Sequence, residues 1–229
     1  MSEEGAAEED TASDDLIAVL LDRHGRTYAS EAGIRLGRNT PAPLFQLLCL
    51  SLLISARISA DAAMAATRAL FDAGWTTPEK MAAATWEERT RVLNESGYAR
   101  YDESTSRYLA DTAETLLDRH GGDLRRLRDE ADGQAAPLRK LLTAHKGIGD
   151  VGADVFLREV QGVWTEFAPF VDGRTLATAG ELGLPRSAEG LRDRVGDVDT
   201  FTRLVAALVR ARLADDLDTL TAAAPEDPT

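Results

Sequence analysis

Two glycines, Gly147 and Gly149, form the part of the sequence whose spacing is best suited to chemistry. They flank Ile148 between two segments of helical pattern, 137–144 and 150–161. A turn this tight needs a positive φ angle or an unusually close backbone approach, and glycine supplies both. The second helix then presents free backbone N–H groups at its N-terminus, where they attract an anion. The glycine pattern is equally typical of an ordinary helical hairpin. The surrounding residues are therefore needed to distinguish an anion-binding site from a purely structural turn.

A DNA phosphate is one anion that this turn suits. DNA binding would then be independent of the base sequence, and its affinity would fall as the salt concentration rises. We expect Ile148 to anchor the turn in the core. The charged residues around the turn sum to about +2; they are the bases Arg139, Lys140, Lys146 and Arg158 and the acids Asp150 and Asp154.

Cysteine and histidine usage excludes several kinds of site. The only cysteine is Cys49, so the chain has no internal disulfide, Cys-ligated iron–sulfur cluster or zinc finger. Cys49 lies in an apolar run, where we expect it to be core. The histidines, His24, His120 and His145, show no metal-ligand spacing, and we expect no metal site. We expect His145 to line the DNA side of the hairpin.

The charge distribution is compatible with a nucleic-acid partner despite a formal net charge of −13. Residues 1–15 hold seven acidic and no basic residues, and residues 213–229 hold five acidic and no basic residues. The remainder holds 27 acidic and 26 basic residues. A nearly neutral body can carry a local basic face, so the acidity of the termini does not exclude DNA binding.

Helical signals dominate the rest of the chain. No segment alternates with a period of two, which predicts an all-α fold of about ten short helices. The stretch 44–54 is apolar nearly all round, which indicates a helix buried on every side. We expect residues 1–15 to be a disordered acidic tail and residues 221–229 a flexible tail.

Nothing in the sequence indicates a membrane or secretory route. The longest apolar run, 47–54, is too short to cross a bilayer. The N-terminus is acidic, the reverse of a signal peptide. We therefore expect a cytoplasmic protein without membrane contact.

Four sequence landmarks carry a resemblance to a known family. The segment 141–157, LLTAHKGIGDVGADVFL, resembles the helix-hairpin-helix of the endonuclease III superfamily of DNA glycosylases, whose hairpin usually reads Leu-Pro-Gly-hydrophobic-Gly. FVDGRT at 170–175 fills the place of the family's Val-Asp, which opens a helix. LLISAR at 52–57 resembles the family's Leu-Leu-Ser-Ala-Gln, and SGY at 96–98 its Gly-Leu-Tyr region. The resemblance covers roughly residues 44–185.

The resemblance implies an all-α, two-lobed helix-hairpin-helix glycosylase fold. One lobe would comprise residues 44–160, six helices ending in the hairpin. The other would combine residues 16–43 with residues 161–220. The cleft between the lobes would hold Asp172 opposite the hairpin.

Two residues match the family's catalytic positions. Asp172 matches its catalytic aspartate, where a carboxylate can stabilise oxocarbenium character on the sugar or activate water. An aspartate ahead of a helix is also a standard N-cap, and in this family both roles coexist. Val151 stands where bifunctional members carry the lysine that forms a Schiff base and permits strand cleavage. Valine cannot form a Schiff base, so the resemblance implies no lyase activity of that kind.

The resemblance also implies a set of DNA-binding residues, which are Lys146, Gly147, Ile148, Gly149, Arg57 and Tyr98. Arg57 replaces the family's inserting glutamine and could fill the gap left by a flipped base, or it is a surface arginine after a buried helix. Tyr98 stands at the family's wedge position and could intercalate, or it is a half-buried aromatic. Lys146 stands where the family usually has proline.

The resemblance therefore implies a monofunctional DNA glycosylase of base excision repair. It would flip a damaged base, with alkylated bases among the candidates, and hydrolyse the N-glycosidic bond with Asp172. The implied partner is double-stranded DNA with a damaged base, and we expect a monomer. No cofactor and no iron–sulfur cluster is expected, although a monovalent cation would fit at the hairpin. Two alternatives stay open: a non-catalytic DNA-damage-binding protein that uses the same hairpin, and a helical scaffold for protein contacts.

Overall fold

The computed structural model describes residues 3–223, and the fold is all-α, as the sequence predicts. Helix makes up 72% of it, and the described part contains no strand. No helix in that part is both long enough and apolar enough to cross a membrane. The α-helices of the described range are α1 (Glu3–His24), α2 (Tyr28–Glu31), α3 (Pro41–Ile54), α4 (Ala60–Asp72), α5 (Pro78–Ala83), α6 (Trp86–Leu93), α7 (Asp102–His120), α8 (Leu124–Glu130), α9 (Ala135–Thr143), α10 (Asp150–Val160), α11 (Gly173–Glu181), α12 (Ala188–Asp193), α13 (Val198–Leu213) and α14 (Leu217–Ala223).

The chain divides into two compact units. One combines the described residues up to Thr27 with those from Ala168 onward, and the other is Tyr28–Phe167. The resemblance implies boundaries after residues 43 and 160 instead. The structure differs in placing the segments 28–43 and 161–167 in the same unit as residues 44–160.

Glu159 accounts for the position of the boundary before Tyr28. Its side chain in α10 is buried, and its carboxylate accepts hydrogen bonds from the backbone N–H groups of Tyr28 and Ala29, both at 2.9 Å. A charged hydrogen bond of this kind satisfies the orphan donors at the start of α2. The segment from Tyr28 is thereby fixed to α10.

The expected acidic tail is helical where it is described. Residues 3–15 belong to α1, so the prediction of disorder was wrong for them. Alanine and glutamate are strong helix formers, and acidic residues near an N-terminus oppose the helix dipole favourably. Further along α1, Leu16, Ile17 and Leu20 are buried in the core of their unit, which anchors the helix. At the other end, α14 continues to Ala223, and the rest of the expected flexible tail lies outside the described residues.

The unit Tyr28–Phe167 is built around α3. All but a few of its side chains are buried, among them Phe45, Leu48 and the free Cys49. Burial raises the pKa of the Cys49 thiol far above its usual range, so this thiol is unreactive core. The uniform apolarity of 44–54 had indicated this central position.

A buried cation joins three helices of the same unit. The Arg89 side chain is 4% exposed, and its guanidinium donates to the backbone carbonyls of Met81 (2.9 Å), Ala84 (2.5 Å) and Ser106 (3.0 Å). Burial lowers the pKa of Arg89, while nearby carboxylates oppose that effect. These bonds fix α5, α6 and α7 to one another.

The second unit packs α1 against the helices that follow Ala168. Its core includes Leu20 from α1, Ala179 from α11, Leu191 from α12, and Phe201 and Leu208 from α13. His24 at the end of α1 hydrogen-bonds to Asp216 just before α14, with Nε2 and Oδ2 2.8 Å apart. That bond, with help from Arg23, lowers the pKa of Asp216. Asp172 opens α11 within this unit.

Candidate nucleic-acid interface at the helical hairpin

The hairpin forms where the glycine pattern predicts it. Helix α9 ends at Thr143, α10 begins at Asp150, and Ile148 between them is 4% exposed, so it anchors the turn in the core as expected. The Ile148 N–H donates to the carbonyl of His145 at 3.1 Å, which closes the turn.

The two glycines of the turn have different roles. Gly147 has a φ of +90°, and a Cβ there would lie 2.7 Å from Cδ2 of Tyr108, so the fold itself requires glycine. Tyr108 on α7 supports the turn. No motif in the sequence predicts this contact; the position of Tyr108 on an apolar helix face indicates only that the ring packs against the unit. Gly149 has an ordinary φ of −89°, and a Cβ there would meet nothing within 4 Å. Nothing in the fold requires glycine at position 149.

Backbone N–H groups are available at the start of α10. Gly149 is the N-cap, in an extended conformation, and no side chain provides a cap hydrogen bond. The N–H groups of the first turn, from Asp150 to Gly152, have no acceptor four residues earlier within the helix. Because these groups and the helix dipole favour negative charge, the open surface at Gly149 suits an anion.

The charges around the turn are less favourable to an anion than the sequence suggested. Arg139 pairs with Asp150, with Nη2 and Oδ1 3.2 Å apart, and also with Asp154. Asp150 is the first residue of α10, and its side chain is 83% exposed, so its carboxylate adds negative charge at the helix N-terminus. Lys146 is exposed, and its Nζ lies 4.0 Å from Oδ2 of Asp111 on α7. The positive charges of the hairpin are therefore partly neutralised by neighbouring acids.

A close helix contact brings two of the expected site residues into one region. A Cβ on Gly152 would lie 2.0 Å from Oγ of Ser55 and 2.7 Å from the carbonyl oxygen of Ser51, so α10 and α3 touch at this glycine. Val151 beside it is 46% exposed, and Arg57, two residues after Ser55, is exposed as well. The loop that carries Arg57 thus lies near the first turn of α10.

Tyr98 does not fit the wedge role that the resemblance implied. Its side chain is fully buried at 0% exposure, and its hydroxyl donates to the carbonyl of Leu53 at 2.8 Å. Burial raises the pKa of Tyr98 to about 12. The ring is part of the core in a π-helical turn, Asn94–Tyr98, and cannot intercalate from this position.

His145 is also buried, at 5% exposure, instead of lining a DNA-facing surface. Its Nδ1 has no hydrogen-bond partner. Burial, together with the charges of His120 and Arg119, lowers its pKa to about 4. The imidazole is therefore neutral at physiological pH and contributes no charge to the hairpin.

Asp172 is the N-cap of α11. Its Oδ1 accepts from the N–H groups of Arg174 (3.1 Å) and Thr175 (3.2 Å), and its Oδ2 accepts from Oγ1 of Thr175 (2.7 Å). The side chain is only partly buried. The carboxylate is thus held in one orientation by these three hydrogen bonds.

Asp197 accepts similar cap hydrogen bonds at the start of α13, although its side chain is exposed. It accepts from the N–H of Thr200 (2.9 Å) and from Oγ1 of Thr200 (2.7 Å). These bonds lower the pKa of Asp197. The cap geometry of Asp172 therefore does not by itself distinguish a catalytic carboxylate from a structural one.

The comparisons with known proteins name no relative. No protein-family model, no curated protein and no solved structure matches this chain. In the described residues, no group of three or more His, Cys, Asp or Glu side chains could hold a metal ion. Any function must be argued from the residues of this chain.

Proposed function

We propose that this protein is a monofunctional DNA glycosylase with the two-lobed helix-hairpin-helix fold. It binds double-stranded DNA at the hairpin, flips a damaged base, and hydrolyses the N-glycosidic bond with Asp172. Alkylated bases are the first candidates for the excised base. The protein acts as a monomer and needs no cofactor.

The observation that carries the proposal is the surface at Gly149. Glycine there has an ordinary φ and open space around it, so neither strain nor packing accounts for it. Close approach of a phosphate to the backbone N–H groups of α10 does account for it, because a Cβ would stand in the way. Gly147, by contrast, is explained by the turn alone.

Asp172 supplies a carboxylate suited to the chemistry. Departure of a base leaves positive charge on the sugar, which a fixed carboxylate stabilises, or the carboxylate accepts a proton from the attacking water. The three hydrogen bonds to Asp172 keep it oriented without reorganisation during the reaction. No amine stands at position 151, so the product is an intact strand with an abasic site.

One observation favours the non-catalytic alternative. Asp197 accepts similar hydrogen bonds at the start of α13, where no catalytic role is proposed. The hydrogen bonds of Asp172 are therefore also those of a purely structural cap. A protein that binds distorted duplex through the hairpin would have the same Asp172 geometry.

Excision assays on defined duplexes test the proposal. Each duplex carries one alkylated, deaminated or oxidised base and is incubated with excess protein, and then half of each sample is treated with alkali. The proposal predicts strand cleavage only after alkali, for at least one lesion. Salt-dependent binding without any abasic product favours the non-catalytic alternative. Absence of both binding and product contradicts both readings.

A further inference from the structure

An open cleft lies on the unit Tyr28–Phe167 among α6, the π-helical turn Asn94–Tyr98 and the start of α7. Its volume is about 390 Å³. None of its lining residues belongs to the hairpin. They are Trp86, Glu87, Thr90, Arg91, Asn94, Glu95 and Asp102.

Trp86 gives the cleft an aromatic wall. It is 36% exposed, one of only three large hydrophobic side chains that are exposed in the described part of the chain. Its Nε1 donates to the carbonyl of Glu103 at 3.3 Å, which holds the indole against the start of α7. A held, accessible indole attracts a cation over its face.

The polar groups of the cleft are mostly hydrogen-bond acceptors. Asn94 donates from Nδ2 to Oδ2 of Asp102 at 2.9 Å, which leaves the Asn94 carbonyl oxygen as an acceptor. The charged lining residues comprise three carboxylates, those of Glu87, Glu95 and Asp102, and one guanidinium, that of Arg91. The cleft therefore offers acceptors and negative charge to a ligand.

We propose that this cleft docks an arginine side chain from a basic segment of a partner protein. A guanidinium is a planar cation with five N–H donors. Its donors can bind the acceptors of the cleft while its plane stacks on the indole of Trp86. The negative charge of the cleft repels a nucleic-acid phosphate. The cleft therefore suits a different class of ligand from the one proposed for the hairpin. The inference does not depend on the glycosylase proposal.

The surroundings of the cleft favour a protein segment over a free small molecule. Exposed acidic side chains continue beyond the cleft itself: Glu88 lies in the capping box of α6, and Glu103 lies 4.0 Å from Arg107. A chain with several basic residues would use that extension, with one arginine in the cleft and its neighbours over the flanking acids.

Peptide titration tests this inference. The probe is a fluorescein-labelled peptide with the sequence Ala-Arg-Ala-Arg-Ala, capped at its C-terminus, titrated with the full chain at physiological ionic strength. We expect saturable binding that weakens about fivefold or more in Trp86→Ala, because the cation–π contact is lost. Trp86→Phe, which keeps an aromatic face, is expected to lose less.

Matched charge variants separate the cleft from the net charge. Glu87 lies in the first turn of α6, and Glu189 lies in the first turn of α12, in the other unit. We expect Glu87→Gln to weaken peptide binding about threefold or more, and Glu189→Gln to leave it unchanged. Equal losses in both variants would show general attraction to an acidic protein and overturn the proposal. So would binding no stronger than that of the Ala-Gln-Ala-Gln-Ala peptide, or equally tight binding of free arginine amide.

Discussion

Val151 is the residue that separates base removal from strand cleavage in the proposed chemistry. It is 46% exposed in the first turn of α10, so a longer side chain there meets solvent. We predict that Val151→Lys gains a covalent adduct with lesion-bearing DNA that borohydride traps. The new amine condenses with the C1′ aldehyde left after the base departs, water is lost, and borohydride reduces the resulting Schiff base. The measurement is the trapped protein–DNA band on a denaturing gel.

Val151→Arg is the control for this variant. It adds the same charge without an amine that forms a Schiff base, so it is expected to bind DNA more tightly but to give no trapped band. A trapped band from the wild-type protein would contradict the monofunctional assignment.

Tyr98 is a core residue, and its hydroxyl stabilises the end of α3. Tyr98→Phe removes the bond to the Leu53 carbonyl, which keeps a longer bond of 3.4 Å from the Ala56 N–H. We predict a loss of about 1 kcal/mol in the free energy of unfolding and no change in DNA affinity. Chemical denaturation and duplex binding measure the two effects. Weaker DNA binding with unchanged stability would restore the wedge role.

The sequence predicted some residue environments and missed others for an identifiable reason. Burial of Ile148 follows from one apolar residue in a tight glycine turn. The burial of Tyr98 and the role of Glu159 depend on which distant segments meet them, which are Leu53 and Tyr28. One sequence does not contain those distances.

Three glycines of the hairpin differ in which atoms an added methyl group would meet. Alanine substitutions at these positions therefore test the packing of the hairpin. We predict that Gly147→Ala costs about 1–3 kcal/mol, because of its positive φ and the ring of Tyr108. Gly152→Ala is expected to cost about 2–3 kcal/mol, because the methyl group would meet Ser55 and the Ser51 backbone. Gly149→Ala, with open space around it, is expected to cost less than about 1 kcal/mol.

Gly149→Ala is expected to affect DNA affinity more than it affects stability. If a phosphate approaches the start of α10, Gly149→Ala weakens duplex binding about tenfold and leaves the fold intact. Denaturant unfolding and fluorescence anisotropy with labelled duplex provide the two numbers. Unchanged affinity for this variant would remove the main support for phosphate contact.

Helix starts carry the clearest local signals in this sequence. Thr85 and Glu88 form a capping box at the start of α6, and Thr77 caps α5 with Pro78 in the first turn. These signals are local, so they need no knowledge of the fold. The start of α1 at Glu3 had no such signal, and its acidic composition alone suggested disorder.

For the whole molecule, His145 predicts a pH dependence of stability. Its pKa is about 4 in the fold and 6.5 when unperturbed, so between these values the unfolded chain binds a proton that the folded chain does not. The stabilisation is complete above pH 6.5 and is lost as the pH falls toward 4, by up to about 3 kcal/mol. Asp123, Asp197 and Asp216 have lowered pKa values, so their contribution is lost only at lower pH.

His145→Gln tests this assignment. The variant is expected to flatten the stability curve between pH 4 and pH 6.5 relative to the wild type, whatever its stability at neutral pH. Urea unfolding at a series of pH values measures the slope. An unchanged slope would place the titrating group elsewhere.

The central claim, that Asp172 performs glycosidic hydrolysis, is tested most directly by a matched pair of aspartate caps. Asparagine keeps the cap hydrogen bonds to the backbone but removes the charge. We predict that Asp172→Asn lowers the single-turnover excision rate on a lesion duplex at least about 100-fold, with unchanged melting temperature and DNA affinity. Asp197→Asn is expected to keep the rate within about twofold. Equal rates for the two variants, whether retained or lost together, would contradict the assignment of Asp172 as the catalytic residue.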